Sequence, residues 1–216
     1  LRGLLAEFGL VFAQSPVVLE AVLTGVLEDA ANEMNTLARL ALQRLQDQWR
    51  EIDAHIAWCD ERIAAHGKDN DAVKKAATLI GIGPVTASAV VASVGEFKQF
   101  TSGAQFGAWC GLVPRQHSSG GKNSLGGITK RGDTYLRSLL IQGAKSAVMT
   151  AHQRSDPIPK WAAALRDRAG WQKAVVALAN KNARILWAVM TKGDAFDARH
   201  VSVKPGAPST PAAATA

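Results

Sequence analysis

Between Gly111 and Arg137 the chain reads Gly-Leu-Val-Pro-Arg-Gln-His-Ser-Ser-Gly-Gly-Lys-Asn-Ser-Leu-Gly-Gly-Ile-Thr-Lys-Arg-Gly-Asp-Thr-Tyr-Leu-Arg, a run that interleaves hydroxyls, cations and glycines. Arg115, Lys122, Lys130, Arg131 and Arg137 can neutralise a phosphodiester, and the glycines let the backbone approach it closely. A serine in that setting can act as a nucleophile if its proton is removed and the developing oxyanion is stabilised. Ser118 and Ser119 are the candidates, with Ser124 behind them. His117 is adjacent in sequence, but neighbours on a chain often point apart, so it is not assigned as the base. The same residues also suit a passive loop that grips a phosphate and does no chemistry. Residue types alone leave both readings open and tilt toward the second.

A second motif lies about 30 residues earlier, in Ala77-Thr-Leu-Ile-Gly81-Ile-Gly83-Pro84-Val-Thr86-Ala-Ser-Ala-Val-Val91. An apolar helix runs into a Gly-x-Gly turn and a second helix starts at once, with Pro84 suited to its first turn. This is the layout of a helix-hairpin-helix. Gly81 and Gly83 permit the tight turn, and the free amides around Thr86, at the positive end of the helix dipole, can cradle a phosphate. Such contacts position a duplex without reading its sequence. The plainer alternative is a helix-packing turn. Repair glycosylases also carry this hairpin and place a catalytic Asp shortly after it, but Val85 to Gly95 contains no acid.

The elements that must hold these motifs are mostly helical. No glycine or proline occurs between Gly25 and Gly67, and apolar residues fall at Leu23, Leu27, Ala30, Met34, Leu37, Ala41, Leu45, Trp49, Ile52, Ile56, Cys59 and Ile63. The three- and four-residue spacings make a heptad seam with one extra four-residue step. The seam predicts a coiled coil, as one long helix or a hairpin of two, that pairs either with a second copy or within the chain. Residues 68–75 form a charged connector, 74–112 a compact helical stretch, 114–134 a polar Gly-rich loop capped into the next helix by Asp133, and 133–152 and 158–192 two further helices. The expected organisation is therefore mostly α. Coiled-coil and linker helices occupy 1–75, a helical domain with the hairpin motif and the basic serine loop occupies 76–193, and a Pro/Ala-rich disordered tail occupies 194–216.

Charge supports a polyanionic partner. The net charge is +7, yet residues 1–78 carry 8 Lys/Arg against 12 Asp/Glu, while residues 114–160 carry 8 against 2. An acidic front and a basic back direct nucleic acid to the second half. Cys59 and Cys110 stand 51 positions apart with no Cys/His pairing, which argues against zinc and against a disulfide framework. No apolar run is long enough to span a membrane. The opening Leu-Arg-Gly-Leu-Leu-Ala-Glu lacks an initiator Met and a signal layout, and reads as an internal slice of a longer protein, for which reduced thiols suggest the cytoplasm.

The run Gly-Leu-x-Pro…Ser-Ser-Gly-Gly-Lys…Gly-Ile-x-Lys-Arg-Gly-Asp-x-Tyr-Leu-Arg, set after the helix-hairpin-helix, resembles the C-terminal domain of the insertion-sequence 110 family of transposases. The similarity reaches back to Leu-Arg-Gly-Leu-Leu-Ala-Glu-Phe-Gly, so it covers residue 1 to about 192. The resemblance implies a DNA recombinase in which a serine of the Ser118-Ser119 pair attacks the DNA phosphate, with Ser118 preferred for lying four residues past Pro114. It also implies a structured noncoding guide RNA as a partner. A RuvC-like domain with four metal-binding carboxylates would precede Leu1 and hold the Mg; no cofactor is expected on this chain's own residues. A chain without that domain should bind nucleic acid yet not cut or join it unaided.

Overall fold

The computed structural model describes residues 1–122, 124–193 and 196–197. It is mostly helical, as expected, and divides into two compact units, Leu1–Arg62 and Ile63–Ala216. The expected disordered tail falls, Phe196 and Asp197 apart, outside the described residues.

The first unit contains α1 (Arg2–Ala6), α2 (Pro16–Glu28) and most of α3 (Thr36–Asp69). Ser15 caps α2 by accepting the Val18 amide at 3.5 Å, and Pro16 takes the first helical position, where its missing N–H costs nothing. The heptad pattern runs through residues 29–35, but the helix does not. There the side chains of Asp29, Asn32 and Asn35 accept the amides of Ala31, Met34 and Ala38, offering the backbone a local alternative to the helical ladder. Arg39 closes the break by donating to the carbonyls of Leu27 and Asn32. The core is small: Leu5, Leu19, Leu23, Met34 and Leu42, with Phe8, Phe12 and Trp49 against it. Buried Gln46 donates to Thr24 Oγ1 at 3.0 Å, a polar pin between α2 and α3 that fixes their register.

The seam is therefore only partly used within the chain. Leu23 and Met34 are buried, whereas Leu37, Leu45, Ile52, Ile56 and Cys59 are exposed.

The second unit contains α4 (Asp71–Ala77), α5 (Pro84–Val94), a 3-10 turn (Phe97–Gln99), α6 (Gly103–Trp109), β1 (Pro114–Gln116), β2 (Leu125–Ile128), α7 (Thr134–Met149), a 3-10 turn (Ala151–Gln153), α8 (Pro157–Ala169) and α9 (Trp171–Lys192). It begins earlier than residue 76 because Val73 and Ala76 of α4 already belong to its core. The helix expected over 158–192 is two, broken at Gly170, whose φ of +91° no L-residue adopts cheaply.

Helix α9 is the spine against which α4, α6, α7 and α8 pack. Its Ala174, Val175, Leu178, Ala179, Ala183 and Leu186 are buried at helical spacing. The rings of Phe97, Phe100, Phe106 and Trp109 cluster with centroids 5.2–5.8 Å apart. Trp187 Nε1 ties this cluster to α9 by donating to the Phe100 carbonyl at 3.1 Å. Gly103 and Gly107 let α6 lie directly on α9: a Cβ at Gly103 would sit 2.9 Å from the Arg184 carbonyl oxygen.

Candidate functional site

The segment expected to be a loop is a β-hairpin. β1 pairs antiparallel with β2, matching Pro114 to Ile128 and Gln116 to Leu125 with an irregularity between. The His117 amide donates to the Ser124 carbonyl at 2.9 Å, and Ser119 pairs with Lys122 across the tip. Gly120 and Gly121, at φ +56° and +79°, are the two central residues of that turn. Positive φ at both positions defines a type I′ turn, the one whose twist matches paired strands. The strands lack a two-residue apolar alternation because the ribbon is solvated on both faces, so the Gly-Gly pair was its one sequence signal.

A solvated two-stranded ribbon is marginal alone and must be held at its base. There the amides of Thr129 and Lys130 donate to the carbonyls of Val113 and Gly111 at 2.9 and 3.1 Å. Gly111 and Gly132, both at positive φ, let this base close against the end of α6. A Cβ on Gly132 would fall on the Trp109 carbonyl oxygen, and one on Gly111 on the Arg131 carbonyl oxygen. Lys130 itself stands at φ +56°, a left-handed conformation costly for a residue with a Cβ. Asp133 Oδ1 accepts the Leu136 amide at 2.8 Å and starts α7 immediately after the hairpin.

Both serines lie at the tip and are exposed. Ser118 Oγ accepts from the Ser124 amide at 3.3 Å and from Gln116 Nε2 at 3.1 Å, stapling the two strands. Ser119 Oγ makes no hydrogen bond among the described residues, and neither hydroxyl meets the His117 imidazole there. Arg115, Lys122, Lys130 and Arg131 are exposed on the hairpin and its base. The ion pairs among the described residues are Lys74–Asp71 and Arg166–Asp167, so none of these four cations is matched by a carboxylate.

Other expected contacts lie in the interior. Arg137 is 8% exposed and donates to the Cys110 carbonyl at 3.4 Å and to Thr134 Oγ1 at 3.0 Å, so its guanidinium supports the hairpin base rather than facing a ligand. Cys110, beside it, is no thiolate: burial pushes its thiol up to about 12, with the Asp133 carboxylate adding to the shift and Arg137 opposing it. Thr86 is buried in α5. Gly81, at φ +78°, faces α7: a Cβ there would lie 2.7 Å from the Gly143 carbonyl oxygen. Its lack of a side chain serves helix packing.

Gly83 is exposed with open space around it, and it precedes an α5 N-terminus with no side-chain cap. No hydrogen bond among the described residues joins this turn to the hairpin tip. Nor do three or more His, Cys, Asp or Glu side chains converge among them, so the Mg implied by the resemblance finds no ligand set there and no step below is routed through it. Among the described residues, no helix is long and apolar enough to cross a membrane.

Residues 73–158 match the family profile described as "Transposase IS116/IS110/IS902 family". The chain is 43% identical over 196 residues to a "Probable family 20 transposase" of Pseudomonas aeruginosa, an alignment covering 88% of this chain and 57% of that protein. It is 38% identical to the "Transposase for insertion sequence element IS1111A" of Coxiella burnetii, over 91% of this chain and 54% of that protein. The "Transposase for insertion sequence element IS1328" of Yersinia enterocolitica is 34% identical, over 91% of this chain and 58% of its own length. The chain thus spans a little over half the length of these relatives.

Proposed function

The chain belongs to the IS116/IS110/IS902 family of transposases, and from that premise we propose that its exposed hairpin holds a DNA phosphodiester for strand cleavage and exchange in insertion-sequence transposition. The observation that carries this reading is the pair of serines at the tip of a ribbon whose four cations enter no ion pair among the described residues. In the proposed step a serine Oγ forms a bond to phosphorus as the bond from phosphorus to a deoxyribose oxygen breaks. The hydroxyl proton ends on the departing oxygen. Attack by the incoming strand's hydroxyl reverses the exchange and frees the serine, so the phosphodiester count is conserved. Ser119 is the better nucleophile candidate, because Ser118 Oγ already accepts two hydrogen bonds and its lone pairs are committed to the staple.

Around this step, Arg115, Lys122, Lys130 and Arg131 supply counter-charge, and the uncapped amides beyond Gly83 supply a second phosphate contact in the manner of a helix-hairpin-helix. The reading extends to a structured guide RNA as a second polyanion and to metal-binding carboxylates contributed from outside the residues described here. If the serines prove dispensable, the hairpin and the α4–α5 turn remain as a DNA-binding module without chemistry.

Charge neutralisation is tested by salt. The logarithm of duplex affinity should fall with log salt at a slope of roughly −0.9 per phosphate neutralised, and replacing Lys122, Lys130 and Arg131 together by Ala should flatten that slope by about 2 to 3. An unchanged slope removes the hairpin from the interface.

We further propose that the unused part of the α3 seam pairs with a second copy. Leu45, Ile52, Ile56 and Cys59 recur at steps of seven, four and three residues along an exposed helical face. Ile52→Asp with Ile56→Asp should lower the mass of the chain by light scattering to that of a monomer while leaving its Tm within about 2 °C, since neither side chain belongs to a core. An unchanged mass would show that this seam mediates no self-association.

A further inference from the structure

At the end of α6 remote from the hairpin, the second unit has an open groove of about 690 Å³ walled by the start of α6, by α8 and by the second half of α9. Its lining pairs aromatic rings with cations: Trp161 and Trp187 with Lys181, Arg184 and Lys192. Trp161 is exposed, and Lys181 Nζ stands 4.8 Å from the centroid of its ring. Arg184 is exposed, and no carboxylate within salt-bridge distance of Lys181, Arg184 or Lys192 is among the ion pairs of the described residues. Phe196 and Asp197, an aromatic ring followed by a carboxylate, also line the groove.

We propose that this groove binds a single strand of DNA, with a base stacked on Trp161 and the adjoining phosphates on Lys181, Arg184 and Lys192. The inference goes beyond strand exchange at the hairpin and rests on that reading only in taking DNA as the polymer. A basic track with an aromatic platform is what unpaired nucleotides require, since every base offers a π-face and every link a charge. A duplex does not fit the same chemistry, because its bases are stacked on one another and reach a ring only after unpairing. The volume lies within the range of roughly 300–1,000 Å³ that encloses small ligands, room for one or two nucleotides. On binding, the base takes the place over the ring that Lys181 holds in the free protein, and the released ammonium pairs with that nucleotide's phosphate.

The test uses the whole chain and three fluorescent probes: a dT12 strand, an rU12 strand and a 12-base-pair duplex. Trp161→Ala should weaken dT12 about tenfold, the scale of one lost stacking contact, while Trp161→Phe stays within about threefold. Lys181, Arg184 and Lys192 replaced together by Ala should flatten the dT12 salt slope by about 2. Duplex affinity, assigned to the hairpin, should be unchanged by Trp161→Ala and reduced by the hairpin substitutions. The triple variant touches only α9 surface cations, so it tests the groove even if Trp161→Ala unfolds. The proposal is overturned if dT12 binds the α9 triple variant as it binds the parent, or if rU12 binds several-fold more tightly than dT12, which would assign the groove to RNA. Full duplex affinity in the variant with Lys122, Lys130 and Arg131 replaced by Ala would instead count against the proposed function and leave the groove result standing.

Discussion

Gly143→Ala, a change that ordinarily strengthens a helix, should destabilise this protein by about 2–4 kcal/mol and lower its Tm by roughly 5–15 °C. Gly143 lies inside α7, where an alanine would normally be worth about 0.5–1 kcal/mol over glycine through propensity alone. Here its Cβ would fall on the Gly81 carbonyl oxygen, and the Cβ of a residue at Gly81 would press on the Gly143 carbonyl in return. Both obstacles are backbone, so no rotamer change relieves them, and α7 must move off the α4–α5 turn.

Gly132→Ala belongs with it, since φ +115° and the Trp109 carbonyl both exclude a Cβ. Gly120→Ala is the control: its φ is also positive, but space around it is open, so it should cost only about 1–2 kcal/mol and only in the ribbon. Thermal unfolding of the three variants decides the matter. If Gly143→Ala raises the Tm, the close approach of α7 to the α4–α5 turn is wrong.

These glycines show where the sequence was legible and where it was not. The motif marks Gly81 as a residue that makes a tight turn and lets the backbone approach a phosphate; the structure shows the turn, at φ +78°, closed against α7. Its partner was not in the motif at all: Gly143 is 62 positions away, and nothing local marks it as a contact. Helix starts were legible because the signals are local, as with Pro84 before α5 and Asp133 before α7. The end of α2 was not, because a heptad count weighs apolar spacing and ignores three Asx side chains that divert the backbone between the two halves of the seam. Charge alone groups Arg137 with the hairpin cations. Position on α7 decided otherwise, turning it inward to the Cys110 carbonyl. The hairpin looks like a loop in the sequence because neither face of its ribbon is buried, and burial is what writes alternation into a strand. The cation-lined groove at α8 and α9 carried no motif, since its parts come from residues 102 to 197 and converge only in the fold.

Ser119→Ala should abolish strand transfer, on the order of 10⁴-fold or more, and remove any covalent protein–DNA adduct, whereas Ser118→Ala should leave measurable transfer. The difference follows from what each hydroxyl already does. Replacing Ser118 leaves the Ser124 amide and the Gln116 side chain without their acceptor, a loss of about 1 kcal/mol at an exposed site that loosens the ribbon without touching a reacting atom. Replacing Ser119 removes a hydroxyl that holds nothing together among the described residues, so its variant should keep the parent Tm and the parent affinity for DNA. Loss of chemistry with folding and binding intact is the signature of a nucleophile, and a structural role would not give it. The assay is run in a transposase of the relatives' full length that carries this segment, with the adduct trapped by denaturation and its phosphorylated peptide sequenced by mass spectrometry. An adduct on Ser118 would reverse the assignment, making the staple a means of positioning the attacking oxygen. If both variants transfer strands at the parent rate, the hairpin grips DNA and the chemistry lies elsewhere.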